Sequence, residues 1–276
     1  MSLLEKCINT INKRKDKIKK INLPQKILDK FNNNINTYEI SKVLEKYYNK
    51  HTSLREYSQM KEQELDKLPI IKFKGNTSYI RFFDINGSYV DYSKDPKKYK
   101  TYDTGSKYGN RIIKIVKMTQ KAINKNENMI IDFSECHGGD IAVYFDAFKD
   151  LVGTGLMFYY DEKNTHAYCY YDGNKYFCTK TPKKIKRIKP SENKNITIIV
   201  SHDSSSSAEY ITMIIKNSYP KTKIIGHSTA GYLNLPNNVT FKYKNTQYVL
   251  NYTIALTAYD SDDKKYYGYI NVKTEK

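Results

Sequence analysis

Residues 195–215 read "NITIIVSHDSSSSAEYITMII". "NITIIVS" is a short continuous apolar run, the pattern of a strand buried within a sheet. "AEYITMII" continues as a helix rich in apolar residues. Between them stand four consecutive serines, Ser204–Ser207. Serine runs are ordinarily solvated linkers, but a run wedged between two core-forming segments reads as a strand-to-helix turn. Two chemistries fit it. Ser205 or Ser206 caps the helix with Glu209 as the acidic half of a capping box. Alternatively, one hydroxyl is a nucleophile at a helix N-terminus, where backbone N–H groups and the helix dipole stabilise an oxyanion.

The same strand–turn–helix pattern recurs outward from this stretch. "NMIIDF" (128–133) is a buried strand, and "SECHGGD" (134–140) is a turn whose Gly138 and Gly139 let the backbone approach a ligand. A helix through "IAVYFDAFKDLVG" follows. "SYIRFFDI" (78–85) and "TKIIGH" (222–227) read as further strands, and 110–125 as an amphipathic helix. Strands are also expected at 155–160, 166–172 and 174–178, with "DGN" (172–174) as a hairpin turn, and at 239–257 and 266–272. Residues 86–109 read as a long polar loop. The repetition argues an α/β core with helix N-termini gathered at one edge of its sheet.

Residues 2–60 differ, with apolar positions at helical spacing (Leu4, Ile8, Ile11; Ile27, Leu28, Phe31; Ile40, Val43, Leu44, Tyr47). The expected division is a helical subdomain over 1–65 and the α/β core over 66–276. The Lys-rich run Lys13–Lys20 reads as the polar face of a helix that also carries Ile18 and Ile21.

The chain of 276 residues is 39% hydrophobic and carries a net charge of +18, with 27 Tyr and no Trp. Such a charge attracts anions and permits non-specific nucleic-acid binding, yet the basic residues are spread along the chain. Cys7, Cys136, Cys169 and Cys178 show no CxxC spacing, so neither disulfide nor metal is expected and a reducing, cytoplasmic or otherwise intracellular setting fits. No signal-type apolar region and no membrane-length apolar stretch is present. No cofactor is called for.

A nucleophilic serine needs a base, and five histidines are available: His51, His137, His166, His202 and His227. Four segments, in order, resemble the C-terminal-processing (tail-specific) serine peptidases and their relatives, the tricorn core protease and the interphotoreceptor retinoid-binding protein repeats. They are "YIRFFDING", "NMIIDFSECHGGD", "ITIIVSHDSSSSAEY" and "KIIGHSTAGYLNLPNN", and the resemblance spans roughly residues 76 to 272. It implies a ClpP/crotonase-like core, a polypeptide substrate and a nucleophile three residues before the Glu, which is Ser206. It also implies an oxyanion hole from the N–H groups of Ser207 and of Gly138 or Gly139. The family's Ser–Lys members carry their Lys after the Thr-x-Gly segment, where this chain has Tyr232. Another branch takes a His base from an N-terminal Asp-Gly-His-Thr segment, which "YNKHTSL" (48–54) resembles with Asn49 and Lys50 in place of Asp-Gly. The base is therefore assigned to His51. The relatives' C-terminal carboxylate points to Asp260 or Asp262 as third triad member, and no PDZ-like segment fits into 55–75. Two other readings stand beside this one: a catalytically inactive peptidase fold that binds a peptide or small ligand, and a basic nucleic-acid-associated protein. Oligomeric state is left open.

Overall fold

The computed structural model describes residues 1–15, 17–33, 35–56, 66–85, 107–162, 165–191, 193–255 and 259–260. Its elements begin with α1 (Leu3–Asn12), α2 (Gln25–Lys30), α3 (Thr37–Tyr47), β1 (Ser53–Glu56), β2 (Ile70–Lys74), β3 (Thr77–Arg81) and α4 (Lys107–Lys125). They continue with β4 (Asn128–Asp132), α5 (Ile141–Ala147), α6 (Lys149–Val152), β5 (Gly155–Glu162), β6 (Thr165–Tyr171), β7 (Tyr176–Thr179) and β8 (Asn195–Val200). The last are α7 (Ser207–Ser218), β9 (Lys223–Gly226), β10 (Leu235–Tyr243), β11 (Thr246–Ala255) and β12 (Tyr259–Asp260). The chain divides into two compact units, one of Met1–Gln63, Tyr160–His166 and Asn234–Ala258, the other of Glu64–Tyr159, Ala167–Leu233 and Tyr259–Lys276.

In the first unit the N-terminal helices share a core with strands from the far end of the sequence. The α1 stripe Leu3, Leu4, Cys7, Ile8 and Ile11 packs with Ile40 and Leu44 of α3, Leu54 of β1, and Tyr248, Leu250 and Tyr252 of β11. An amphipathic helix must bury its apolar stripe, and each such side chain withdrawn from water contributes roughly 1.5–3 kcal/mol. The partner is the antiparallel sheet β1-β11-β10. Its membership thus differs from a purely helical 1–65 segment. The Lys-rich run is a correction. α1 stops at Asn12 rather than running through Lys13–Lys20, because the Asn12 side chain donates to the Ile21 carbonyl (3.0 Å) and accepts the Ile21 N–H (2.8 Å).

In the second unit β2-β3-β4-β8-β9 form a five-stranded sheet. β3, β4, β8 and β9 run parallel, with β2 antiparallel at the edge. Four parallel strands point their C-terminal ends the same way, so the turns after β3, β4, β8 and β9 lie along one sheet edge, where α/β sheets place their sites. A second sheet is ordered β12-β5-β6-β7: β5, β6 and β7 come between α6 and β8 in the chain, and β12 joins from beyond β11. Within it Cys169 and Cys178 face each other across β6 and β7 and form a disulfide, against the sequence expectation. Strand register, not CxxC spacing, brings them together: the ladder closes at Tyr171–Tyr176, and each cysteine lies three residues from the 172–175 turn. Cys7 and Cys136 are free and buried. The strand expected at 266–272 and nearly all of the polar loop expected at 86–109 (to residue 106) lie outside the described residues, and 107–109 begin α4.

Candidate active site

The serine turn is built almost wholly from hydroxyl-to-backbone bonds to the glycine turn. Ser201 Oγ donates to the Ser134 carbonyl (2.5 Å) and Ser204 Oγ to that of Phe133 (2.8 Å). Ser205 Oγ donates to the His137 carbonyl (2.8 Å) and Ser207 Oγ to that of Gly139 (2.6 Å). The Ser205 N–H adds a bond to the Cys136 carbonyl (3.1 Å). These neighbours of Ser206 stitch the serine turn to the glycine turn, which satisfies carbonyls that the edge of the sheet would otherwise leave unpaired. Ser206 is the N-cap of α7 and adopts φ 54°, ψ −119°. A non-glycine residue at positive φ costs of order 1–3 kcal/mol, and such strain concentrates where a side chain must be presented.

Glycine is required opposite it. Gly138 has φ 94°, and a Cβ there would lie 2.6 Å from the Ser205 carbonyl oxygen, 2.8 Å from the Ser207 nitrogen and 2.9 Å from Ser206 Cβ. Gly139 has φ 127°, and its Cβ would meet the Ile85 carbonyl oxygen at 1.9 Å. The Gly138 N–H faces the Cys136 sulfur, whose thiol burial pushes up to about 12. The Gly139 and Ser207 N–H groups have no acceptor among the described residues. The turn begins from Asp132, only 2% exposed, which accepts from Tyr79 Oη (2.5 Å), Arg81 Nε (2.9 Å) and Ser134 N and Oγ (2.9 and 2.6 Å). Burial opposes its ionisation, but the Ser134, Tyr79 and Arg81 donors outweigh that and hold its carboxyl below the usual range.

Glu209 is the hub of the serine turn. Fully buried, it takes the Ser206 N–H (2.9 Å) and the Tyr232 N–H (2.7 Å) on Oε2, and the Gly231 N–H (3.0 Å) and the Thr229 hydroxyl on Oε1. One carboxylate therefore ties the helix start to the "STAGY" turn after β9. Burial raises its pKa, offset in part by Thr229, Tyr232, Gly231 and Ser206. The capping-box expectation for Ser206 and Glu209 is met.

His51 belongs to the first unit, in the turn between α3 and β1. Its Nδ1 lies 2.5 Å from Asn234 Oδ1. Asn234 is 5% exposed and donates through Nδ2 to Asn49 Oδ1 (3.0 Å), which also accepts from the His51 N–H (3.1 Å) and Thr253 Oγ1 (2.8 Å). An amide whose NH2 is committed to Asn49 must turn its oxygen to His51, so Nδ1 carries the proton and Nε2 is the basic nitrogen. Burial lowers the His51 pKa, and the Asn234 side chain and backbone partly restore it. The imidazole is thus neutral at pH 7.

Asp260 lies in β12 of the second unit, paired with Phe158, and Asp262 is outside the described residues. The group seen at His51 Nδ1 is Asn234, which no spacing in the sequence singled out. Of the other histidines, His202 and His227 are exposed and stack on each other, centroids 5.2 Å apart. His137 pairs with Asp84 (Nδ1 to Oδ2, 3.1 Å). Among the described residues no cluster of three or more His, Cys, Asp or Glu is disposed to hold a metal, and no helix is long and apolar enough to cross a membrane.

The chain resembles a lipoprotein from Streptococcus agalactiae (18% identity, 97% of this chain and 88% of that one, TM-score 0.63). It also resembles a Parabacteroides merdae protein assigned as a peptidase (13% identity, 97% and 86%, TM-score 0.50). A more distant likeness is to the photosystem II D1 C-terminal processing protease (12% identity, 71% and 41%, TM-score 0.43). No curated protein matches. The sequence profile of peptidase family S41 matches residues 79–267, which contain Ser206, Glu209 and both glycines. With more than half of its length so matched, the chain belongs to peptidase family S41 and is a serine peptidase by family.

Proposed function

We propose that the protein cleaves polypeptides through an acyl-enzyme on Ser206, with His51 as general base and Asn234 as the group that orients it. His51 Nε2 takes the Ser206 Oγ proton as the oxygen attacks the scissile carbonyl carbon. The resulting oxyanion is held by the Ser207 and Gly139 N–H groups, each such donor being worth on the order of 10²–10³ in rate. Gly139 is preferred over Gly138 because the Gly138 N–H is turned to Cys136. The imidazolium returns its proton to the departing amine as the C–N bond breaks. Water then attacks the ester, gives a proton to His51, and releases the carboxylic acid and free Ser206.

The observation that carries this reading is the backbone of Ser206, held at φ 54° against Gly138 by Glu209. The orientation of His51 within its own unit supports it as a base: Asn234 accepts at Nδ1, which leaves Nε2 to take a proton. A His base, rather than the Ser–Lys pair, is favoured because Tyr232 stands at the lysine position. The uncharged Asn orients the imidazole while stabilising its cation less than a carboxylate does, as in Cys-His-Asn sites. The test is hydrolysis of fluorogenic casein by wild type, Ser206→Ala and His51→Gln. Loss of at least 10³-fold in both variants is expected. Turnover surviving in either removes that residue, and an inert wild type that still binds peptide is the outcome for the ligand-binding alternative.

The disulfide Cys169–Cys178 favours an oxidising compartment over the cytoplasm, in keeping with the lipoprotein among its structural relatives. Thiol titration of the denatured protein without reductant should then give two free thiols; four would return it to a reducing setting.

A further inference from the structure

The glycine turn is gripped on its other side by residues 84 and 85. Asp84 Oδ1 accepts the His137 N–H, and Oδ2 faces His137 Nδ1 at 3.1 Å. The next residue, Ile85, donates its N–H to the Gly138 carbonyl (3.0 Å) and accepts the Asp140 N–H (2.9 Å). Tyr144 Oη donates to the same Gly138 carbonyl (3.0 Å). The carbonyls of 137, 138 and 139 are therefore each taken, by Ser205, by Ile85 with Tyr144, and by Ser207. A peptide plane whose carbonyl is anchored has its N–H anchored in the opposite direction. Orientation of the Gly139 N–H thus follows from the Gly138 carbonyl and its Ile85 partner, and Asp84 holds the start of that same turn.

We infer that Asp84 is a positioning residue for the oxyanion hole, acting through the His137 main-chain N–H to hold the 137–139 peptides in register with Ser206. This rests on the reading of Ser206 as nucleophile and adds a residue outside the proton-transfer pair. The His137 ring is 63% exposed, so the load falls on the main chain and the imidazole is secondary. Preorganised donors matter most in the transition state, so loss of Asp84 lowers kcat and leaves KM nearly unchanged.

The experiment compares wild type, Asp84→Ala, Asp84→Asn and His137→Ala in the full chain, by casein hydrolysis, by the rate of fluorophosphonate labelling at Ser206, and by hydrogen exchange of the 133–140 backbone. Asp84→Ala should slow labelling and kcat about 30-fold or more with KM within about 3-fold, on the scale of one misplaced oxyanion donor. Asp84→Asn, whose oxygen still accepts the His137 N–H, should recover most of the rate, and His137→Ala should stay within about 3-fold of wild type. Exchange at 137–140 should speed up at least about 10-fold in Asp84→Ala alone. A labelling rate in Asp84→Ala equal to wild type overturns the inference, as does a His137→Ala loss as large as that of Asp84→Ala, which would make the ring the actor. Should Asp84→Ala not fold, Asp84→Glu is read by the same criteria. If wild type itself fails to label at Ser206, the nucleophile reading has failed, and the exchange data decide the clamp separately: unchanged exchange sinks it.

Discussion

Replacing Glu209 should separate scaffolding from chemistry at the serine turn. Its carboxylate is fully buried and accepts four donors: the Ser206, Gly231 and Tyr232 N–H groups and the Thr229 hydroxyl. Glu209→Ala takes the carboxylate acceptor away from three part-buried N–H groups. At roughly 1–3 kcal/mol each, reduced where water enters the hole, the cost is about 3–5 kcal/mol. For a chain of this size that lowers Tm by about 10 °C. Glu209→Gln behaves differently. Its amide is best placed with NH2 at the Oε1 position, where the Thr229 hydroxyl can rotate to become an acceptor, leaving only the Gly231 N–H opposed. That costs about 1–2 kcal/mol. Removal of a buried charge works the other way, since burial raises the Glu209 pKa despite its four donors. A folded-state pKa above the unfolded value means that the ionised form costs stability as pH rises through it. Gln is spared that cost, so the deficit of Glu209→Gln relative to wild type should be smallest near pH 7 and largest under acid, where wild type is protonated and donates or accepts as needed. Thermal unfolding followed by circular dichroism between pH 5 and pH 8 reads both effects. Fluorophosphonate labelling should drop more than about 10-fold in Glu209→Ala at temperatures where it stays folded. An Ala variant that unfolds within about 1 °C of wild type refutes the hub.

Other outcomes follow from the same contacts. Asn234→Ala should lower kcat about 10²-fold or more by releasing the His51 tautomer, and Asn234→Asp should move the acid limb of kcat/KM upward. In wild type that limb should lie below 6.5, because burial lowers the His51 pKa; stability of the folded chain then falls as pH drops below 6.5, where the unfolded imidazole takes a proton first. Gly138→Ala, adding a Cβ 2.9 Å from Ser206 Cβ at φ 94°, should abolish labelling while costing about 2–3 kcal/mol in denaturant unfolding. Asp140, the N-cap of α5, has its pKa pushed up to about 6, chiefly by burial, while it accepts the Ala142 N–H. Its ionised form thus costs stability above pH 6, and Asp140→Asn should stabilise by about 1–2 kcal/mol at pH 7.5, with the gain fading below pH 6.

The second unit was largely legible in sequence because its signals are local. "NMIID" and "NITIIV" can bury both faces only as inner parallel strands, and the Gly-Gly and serine turns sit where those strands end. The first unit was not, since the α1 and α3 stripes need an apolar partner that lies some 200 residues away in β11, and nothing in a helical period names it. The Asn234–His51 contact was hidden for the same reason: in so Asn-rich a chain one more Asn carries no signal, and the pairing joins residues 183 apart. The disulfide could have been found. A hairpin whose turn is 172–175, one residue longer than the expected 172–174, places 169 and 178 opposite each other, and cysteine spacing alone does not show that.

The most direct measurement is peptide mapping, by mass spectrometry, of the protein after reaction with a fluorophosphonate. A single phosphonate on Ser206 is expected, absent from Ser206→Ala and formed at least about 100-fold more slowly in His51→Gln. An adduct on any other serine, or one formed as fast in the absence of His51, would contradict that expectation.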